Sequence, residues 1–100
     1  MARVIKLRRS ARRALASARV LDRVVENQLP LVVRLPEGSS RTRAADFLAE
    51  LVLLSQAYRH HAEGWISRRE LERRGQSTMR KLSTIRQRSA LPHTQFTEQD

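Results

Sequence analysis

The chain has 100 residues, 40% of them apolar and 30% charged. That is enough for one small domain around one core, and it excludes a large multi-domain enzyme. There is no cysteine, which excludes disulfides, thiolate metal sites and a cysteine nucleophile. Lysine and arginine together number 20, of which 18 are arginine, against 10 acidic residues, for a net charge of +10; an imbalance of that size speaks of partners rather than of fold.

Residues 3–28 read as an amphipathic helix. Val4, Leu7, Ala11, Ala14, Ala18, Leu21 and Val25 recur at alternating spacings of three and four, which makes a heptad seam. The alanines at its centre let a neighbouring helix approach closely. Arg8, Arg9, Arg12, Arg13, Arg19 and Arg23 lie largely off the seam, so this helix offers one side to protein and the other to an anion. Residues 31–35, bracketed by Pro30 and Pro36 and rich in β-branched side chains, predict a short extended segment. It is either a linker packed on helices or a strand that pairs with another chain, because no second strand is evident.

Glu37, Gly38, Ser39 and Ser40 predict a polar turn, and a second helix follows over about 41–62. Ala44, Phe47, Leu48, Leu51, Val52, Leu53, Leu54 and Tyr58 make it apolar nearly all round, the pattern of a buried central helix. Arg59, His60 and His61 suit its negative end, and Gly64 suits its stop. Ser67-Arg68-Arg69-Glu70 has the S-x-x-E spacing of a capping box, flanked by a hydrophobic staple of Ile66 and Leu71, and starts a third helix over 67–90. Gly75 either breaks that helix, giving four in all, or lies inside it; Leu71, Gly75, Thr78, Leu82 and Ile85 keep heptad spacing across the glycine, which favours continuity. Pro92 is expected to close the helix. The expected architecture is an all-α domain over 1–91 with a flexible acidic tail at 92–100.

Residues 1–20 carry +7 and residues 59–88 carry +6, on either side of a near-neutral 21–58. Two basic segments flanking an apolar middle suit a polyanion, although solvated helix faces would show similar counts. Arginine presents a permanently charged planar fork to phosphates and guanine edges. The expected nucleic-acid-binding residues are Arg8, Arg9, Arg12, Arg13 and Arg19 on the first helix, with Arg68, Arg69, Arg73, Arg74, Arg80 and Lys81 on the last. Aromatic residues are only 4%, so stacking on single-stranded bases is poorly supported and duplex DNA is the expected ligand.

Two short stretches carry a resemblance. ISRRELERRGQSTMRKL (66–82) resembles a helix-turn-helix, with Gly75 in the turn and the residues after Ser77 in the recognition position, which implies DNA binding in transcription regulation. Met79 arrives early for that turn. LVVRLPEG (31–38) resembles the strand that opens a ribbon-helix-helix protein, which implies a dimer whose paired strands turn Val32 and Arg34 to the groove. The long apolar helix that follows and the 30 residues before it depart from that fold. Each resemblance covers under a fifth of the chain, and neither family is assigned.

His60, His61 and His93 are the histidines. Neighbours on a helix point about 100° apart, so His60 and His61 make no metal pair, and with Glu63 they offer at most a weak site. No H-E-x-x-H, G-x-x-x-x-G-K or G-x-S-x-G sequence occurs, so neither an enzyme nor a metal, cofactor or small-molecule substrate is expected. The alternative function is a non-enzymatic helical subunit, adaptor or inhibitor that docks on a larger protein or ribonucleoprotein, alone or as a homodimer. No apolar run approaches the roughly 20 residues of a membrane span. A cytoplasmic or nucleoid location in a reducing compartment is expected. The Arg-rich, acid-free first 20 residues also have the composition of an organellar targeting segment.

Overall fold

Helical periodicity governs almost the whole backbone. The computed structural model describes residues 2–99, with side chains described for residues 9–88. It contains α1 (Ala2–Arg34), α2 (Ser39–Ala62) and α3 (Arg68–Gln99), and no strand among the described residues. Helix α2 lies between the others: α1 and α3 each pack on it, and among the described residues their backbones do not meet. Both pairs are antiparallel. Ser10 meets His61 while Val32 meets Leu48 and Leu51, so numbers rise along α1 as they fall along α2. The extents are 67 × 26 × 15 Å and the radius of gyration is 17.3 Å, against about 13 Å for a compact chain of this length.

That shape limits the core. Ala14, Ala18, Val32, Leu48, Leu51, Ala57 and Ile85 are the buried apolar residues among those described, and no large side chain is fully enclosed. Val32, Leu48 and Leu51 form its centre, with Leu21, Val25, Ala44, Phe47 and Leu82 packed against them. On α2 the all-round apolar pattern is only partly used, since Val52 and Leu53 are exposed.

The expected extended segment at 31–35 is absent, because α1 runs through Pro30 to Arg34. The proline ring removes the N–H that would bond the Glu26 carbonyl, a cost of about 3 kcal/mol in a helix interior. Position outweighs it. Val32 lies one heptad beyond Val25 and is buried, and burying a valine returns about 1.5–3 kcal/mol, alongside what Leu21 and Val25 contribute. Pro36 then ends the helix, since it disfavours helical backbone at Leu35; the Leu35 N–H closes a tight last turn on the Val32 carbonyl at 3.1 Å. With residues 31–34 helical there is no strand to pair, and the ribbon-helix-helix resemblance falls.

Helix α3 is likewise unbroken at Gly75, as the heptad spacing favours. Thr78 and Ile85 are buried on that stripe, and Leu71, Gly75 and Leu82 are partly so. The helix-turn-helix resemblance therefore falls too, for want of a turn. Nor does Pro92 end the helix; its backbone continues to Gln99, while the side chains of the expected acidic tail, 92–100, lie outside the described residues.

Both turns have glycine where geometry demands it. Gly38 has φ +143° and ψ −170°, a region essentially closed to other residues, and its carbonyl accepts from the Thr42 N–H at 3.0 Å and the Thr42 hydroxyl at 3.1 Å. Gly64 has φ +82° and sits in a Schellman motif. The Trp65 N–H bonds the His60 carbonyl at 2.9 Å and the Gly64 N–H bonds the His61 carbonyl at 3.0 Å. The Trp65 and His60 rings meet at 5.3 Å between centroids, tilted by 37°, supplying the contact across the motif. At the predicted capping box, the Ser67 hydroxyl accepts from the Glu70 N–H at 3.0 Å, but the Glu70 carboxylate turns to Arg73 and Arg74 instead of reaching back.

Glycine substitutions separate a helical backbone from a turn. A Cβ on Gly75 would meet nothing within 4 Å, so Gly75→Ala should stabilise the protein by about 0.5–1 kcal/mol. Gly38→Ala should destabilise it by about 1–3 kcal/mol. Urea denaturation followed by circular dichroism measures both, and a destabilising Gly75→Ala would contradict the continuous helix.

Candidate nucleic-acid interface

The face of α1 that meets α2 is built from small residues. Ala18 is fully buried, and the Ser55 hydroxyl of α2 lies 3.3 Å from its carbonyl oxygen. A side chain can reach a neighbouring helix's backbone like this only where nothing bulky intervenes. The same hydroxyl donates to Asp22 Oδ1 at 2.6 Å, and Arg59 pairs with Asp22 Oδ2. At the other end of the pair, a carbonyl can only accept, so His61 Nδ1–H donates to the Ile66 oxygen at 3.1 Å; Ser10 Oγ meets His61 Nε2 at 3.2 Å. These contacts fix how α1 is rotated on α2.

The rotation turns Arg9, Arg12, Arg13 and Arg19 outward. All four are exposed. No acid precedes Asp22 in the chain, and no ion pair to these four is found among the described residues. Arg9 and Arg19 are ten residues apart, about 15 Å along the axis. The side chain of Arg8 lies outside the described residues.

The second cluster is different. Arg68 pairs with Glu72 at 3.5 Å, Arg74 with Glu70 at 3.0 Å, and Arg73 also with Glu70. Hydrogen bonds from Arg74 and then Arg73 hold the Glu70 carboxyl below its ordinary value, against a small opposing effect of burial. Arg69, Arg80 and Lys81 are exposed and have no ion pair among the described residues. Three of the six α3 positions are thus engaged with carboxylates of their own helix, through exposed pairs of the kind that water and competing anions loosen.

The two basic clusters do not form one surface, because α2 stands between their helices. They approach each other near the α2–α3 turn, where Arg9 and Arg13 of α1 and Arg68 of α3 line one open groove of about 840 Å³ together with Ser10, His61 and Glu63. Among the described residues there is no cluster of three or more histidines and carboxylates fit for a metal, and no helix is long and apolar enough to cross a membrane. No family model, curated protein or solved structure matches the chain.

Reasoning from sequence missed the clasp of Asp22, Ser55 and Arg59. Two signals were available: a lone acid following seven bases, and a serine in the middle of an otherwise apolar helix. The Asp22 carboxyl is held below its ordinary value of 3.8 chiefly by the Ser55 hydrogen bond and then by that of Arg59, against desolvation. A carboxyl lowered in the folded state gives stability that is complete above its unfolded value and is lost as the pH falls through the folded one. Asp22→Asn should therefore lower stability at neutral pH and lose less of it on acidification below about pH 4, as thermal melts over an acid pH series would show. Parallel acid limbs for the two proteins would mean that the clasp carries no linkage.

Proposed function

We propose that this chain is a small nucleic-acid-binding protein, accessory or regulatory in role, that grips the phosphates of duplex DNA through the outward face of α1. One observation carries this reading: Arg9, Arg12, Arg13 and Arg19 are exposed and have no carboxylate partner among the described residues, on a helix whose opposite face is locked to α2. Guanidinium groups held by a rigid helix lose little freedom on meeting phosphate, and each contact releases condensed counterions. Arg69, Arg80 and Lys81 offer a second, separate set of phosphate contacts on α3. Arg68, Arg73 and Arg74 join it by exchanging an exposed carboxylate for a phosphate. Trp65, in the turn between α2 and α3, is an exposed aromatic ring beside His60, and a single ring of that kind offers little base readout next to a row of arginines, which favours backbone contact over sequence readout.

A second reading, a helical subunit or adaptor docking on a larger protein, is favoured by a separate observation. Val20, Val24 and Leu31 are exposed on one side of the C-terminal half of α1, and exposed apolar side chains at helical spacing suit an interaction site.

Electrophoretic mobility of duplex DNA across a salt series tests the first reading. Affinity should fall steeply as salt rises, by about 0.9 in log–log slope for each phosphate contact. Replacing Arg9, Arg12 and Arg13 together by alanine should flatten that slope by about 2–3 while leaving helicity intact. Affinity that is indifferent to salt, or a slope unchanged by the triple substitution, would overturn it.

A further inference from the structure

Because α1 and α3 both rest on α2 without meeting at their backbones, a channel of about 590 Å³ opens between them. Its floor is Ala44, Phe47 and Leu48 of α2. Val24 and Val32 of α1 and Ile85 of α3 form the walls. The charged residues that line it are Arg43 and Arg86, and no carboxylate does. Arg43 donates to the Ser40 hydroxyl at 3.4 Å, and neither arginine is in an ion pair among the described residues.

From this we infer that the channel is a docking groove for an acidic amphipathic helix of a partner protein, which completes a four-helix arrangement. Three features specify the occupant. The apolar side chains Val24, Val32, Ala44, Phe47, Leu48 and Ile85 line about two helical turns of the channel, and the exposed Val20 and Leu31 extend the apolar strip along α1. An occupant must therefore bring apolar side chains at matching spacing. The polar side chains of the lining are Gln28, Ser40, Arg43 and Arg86, too few to pair a whole extended backbone, so a segment that satisfies its own N–H and C=O groups is preferred. Arg43 and Arg86 at the margins call for carboxylates beside that apolar stripe. A second copy is a poor occupant, since its surplus of arginine would face these arginines in a chain of net charge +10.

The surface is distinct from the arginines proposed to hold nucleic acid, and that separation shapes the test. The probe is a fluorescein-labelled peptide of about five helical turns, with leucine and alanine at i, i+3, i+4 and i+7 and glutamate on both flanks. Controls are a lysine-for-glutamate version and a scrambled glutamate version. Fluorescence anisotropy with the full chain should show micromolar binding of the ordered acidic peptide alone. Arg43→Glu with Arg86→Glu should weaken it at least about tenfold and shift preference toward the lysine peptide. Should that double reversal disturb the circular dichroism spectrum, Arg43→Gln with Arg86→Gln should still weaken binding at least about threefold. The Arg9, Arg12 and Arg13 alanine variant should bind the peptide as the parent does. Equal binding of the scrambled peptide, indifference to both Arg43/Arg86 pairs, displacement by duplex DNA, or a dimer in sedimentation that excludes the peptide would each overturn the inference.

Discussion

The close approach of α1 to α2 is the constraint on which everything else rests. It is possible because Ala14 and Ala18 leave no side chain in the way, so that a serine of one helix reaches a backbone carbonyl of the other. Alanine contributes little apolar area of its own, and a seam made of it would slide if packing were all that held it. The Asp22, Ser55 and Arg59 contacts supply direction: each has one good geometry, and together they set both the register and the rotation of the pair. The outward aim of the α1 arginines follows from that rotation and from nothing on the arginines themselves.

Building three helices in an open arrangement instead of a closed bundle has an energetic consequence. Each outer helix buries one stripe, and the middle helix is left with an uncovered side that includes Val52 and Leu53. A chain of this size can shield only a modest core at best, and here much of the buried set is alanine. Exposed apolar side chains remain on the second half of α1, on α2, at Trp65 in the turn and at Met79 on α3.

Much of the fold was legible in the residues. The stripe of Leu71, Gly75, Thr78, Leu82 and Ile85 predicted a continuous α3 across a glycine, and that stripe is the one turned inward. Ser67 and Gly64 marked the turn between α2 and α3, because capping depends on chemistry within a few residues. The reading failed where local preference and long-range packing disagreed. Pro30 and its β-branched neighbours speak locally for extended backbone, yet Val32 stands in heptad register with Val25, and its burial against Leu48 and Leu51 decides for helix. Of the candidate site, Arg9, Arg12, Arg13 and Arg19 have no ion pair among the described residues, in keeping with the lack of acids near them in sequence, whereas Glu70 and Glu72 engage Arg68, Arg73 and Arg74 at helical spacings that were open to view.

Composition and periodicity alone determined that the chain is helical, that it is strongly basic, and that its charge is gathered at two places, since each of these depends on residue type and on spacings shorter than a few turns. Which face of each helix points outward, whether the two basic clusters share a surface, and where a groove opens were decided only by tertiary structure. The reason is that these features depend on the rotation of one helix about another, and rotation is fixed by contacts such as Ser55 with Asp22, between residues 33 positions apart.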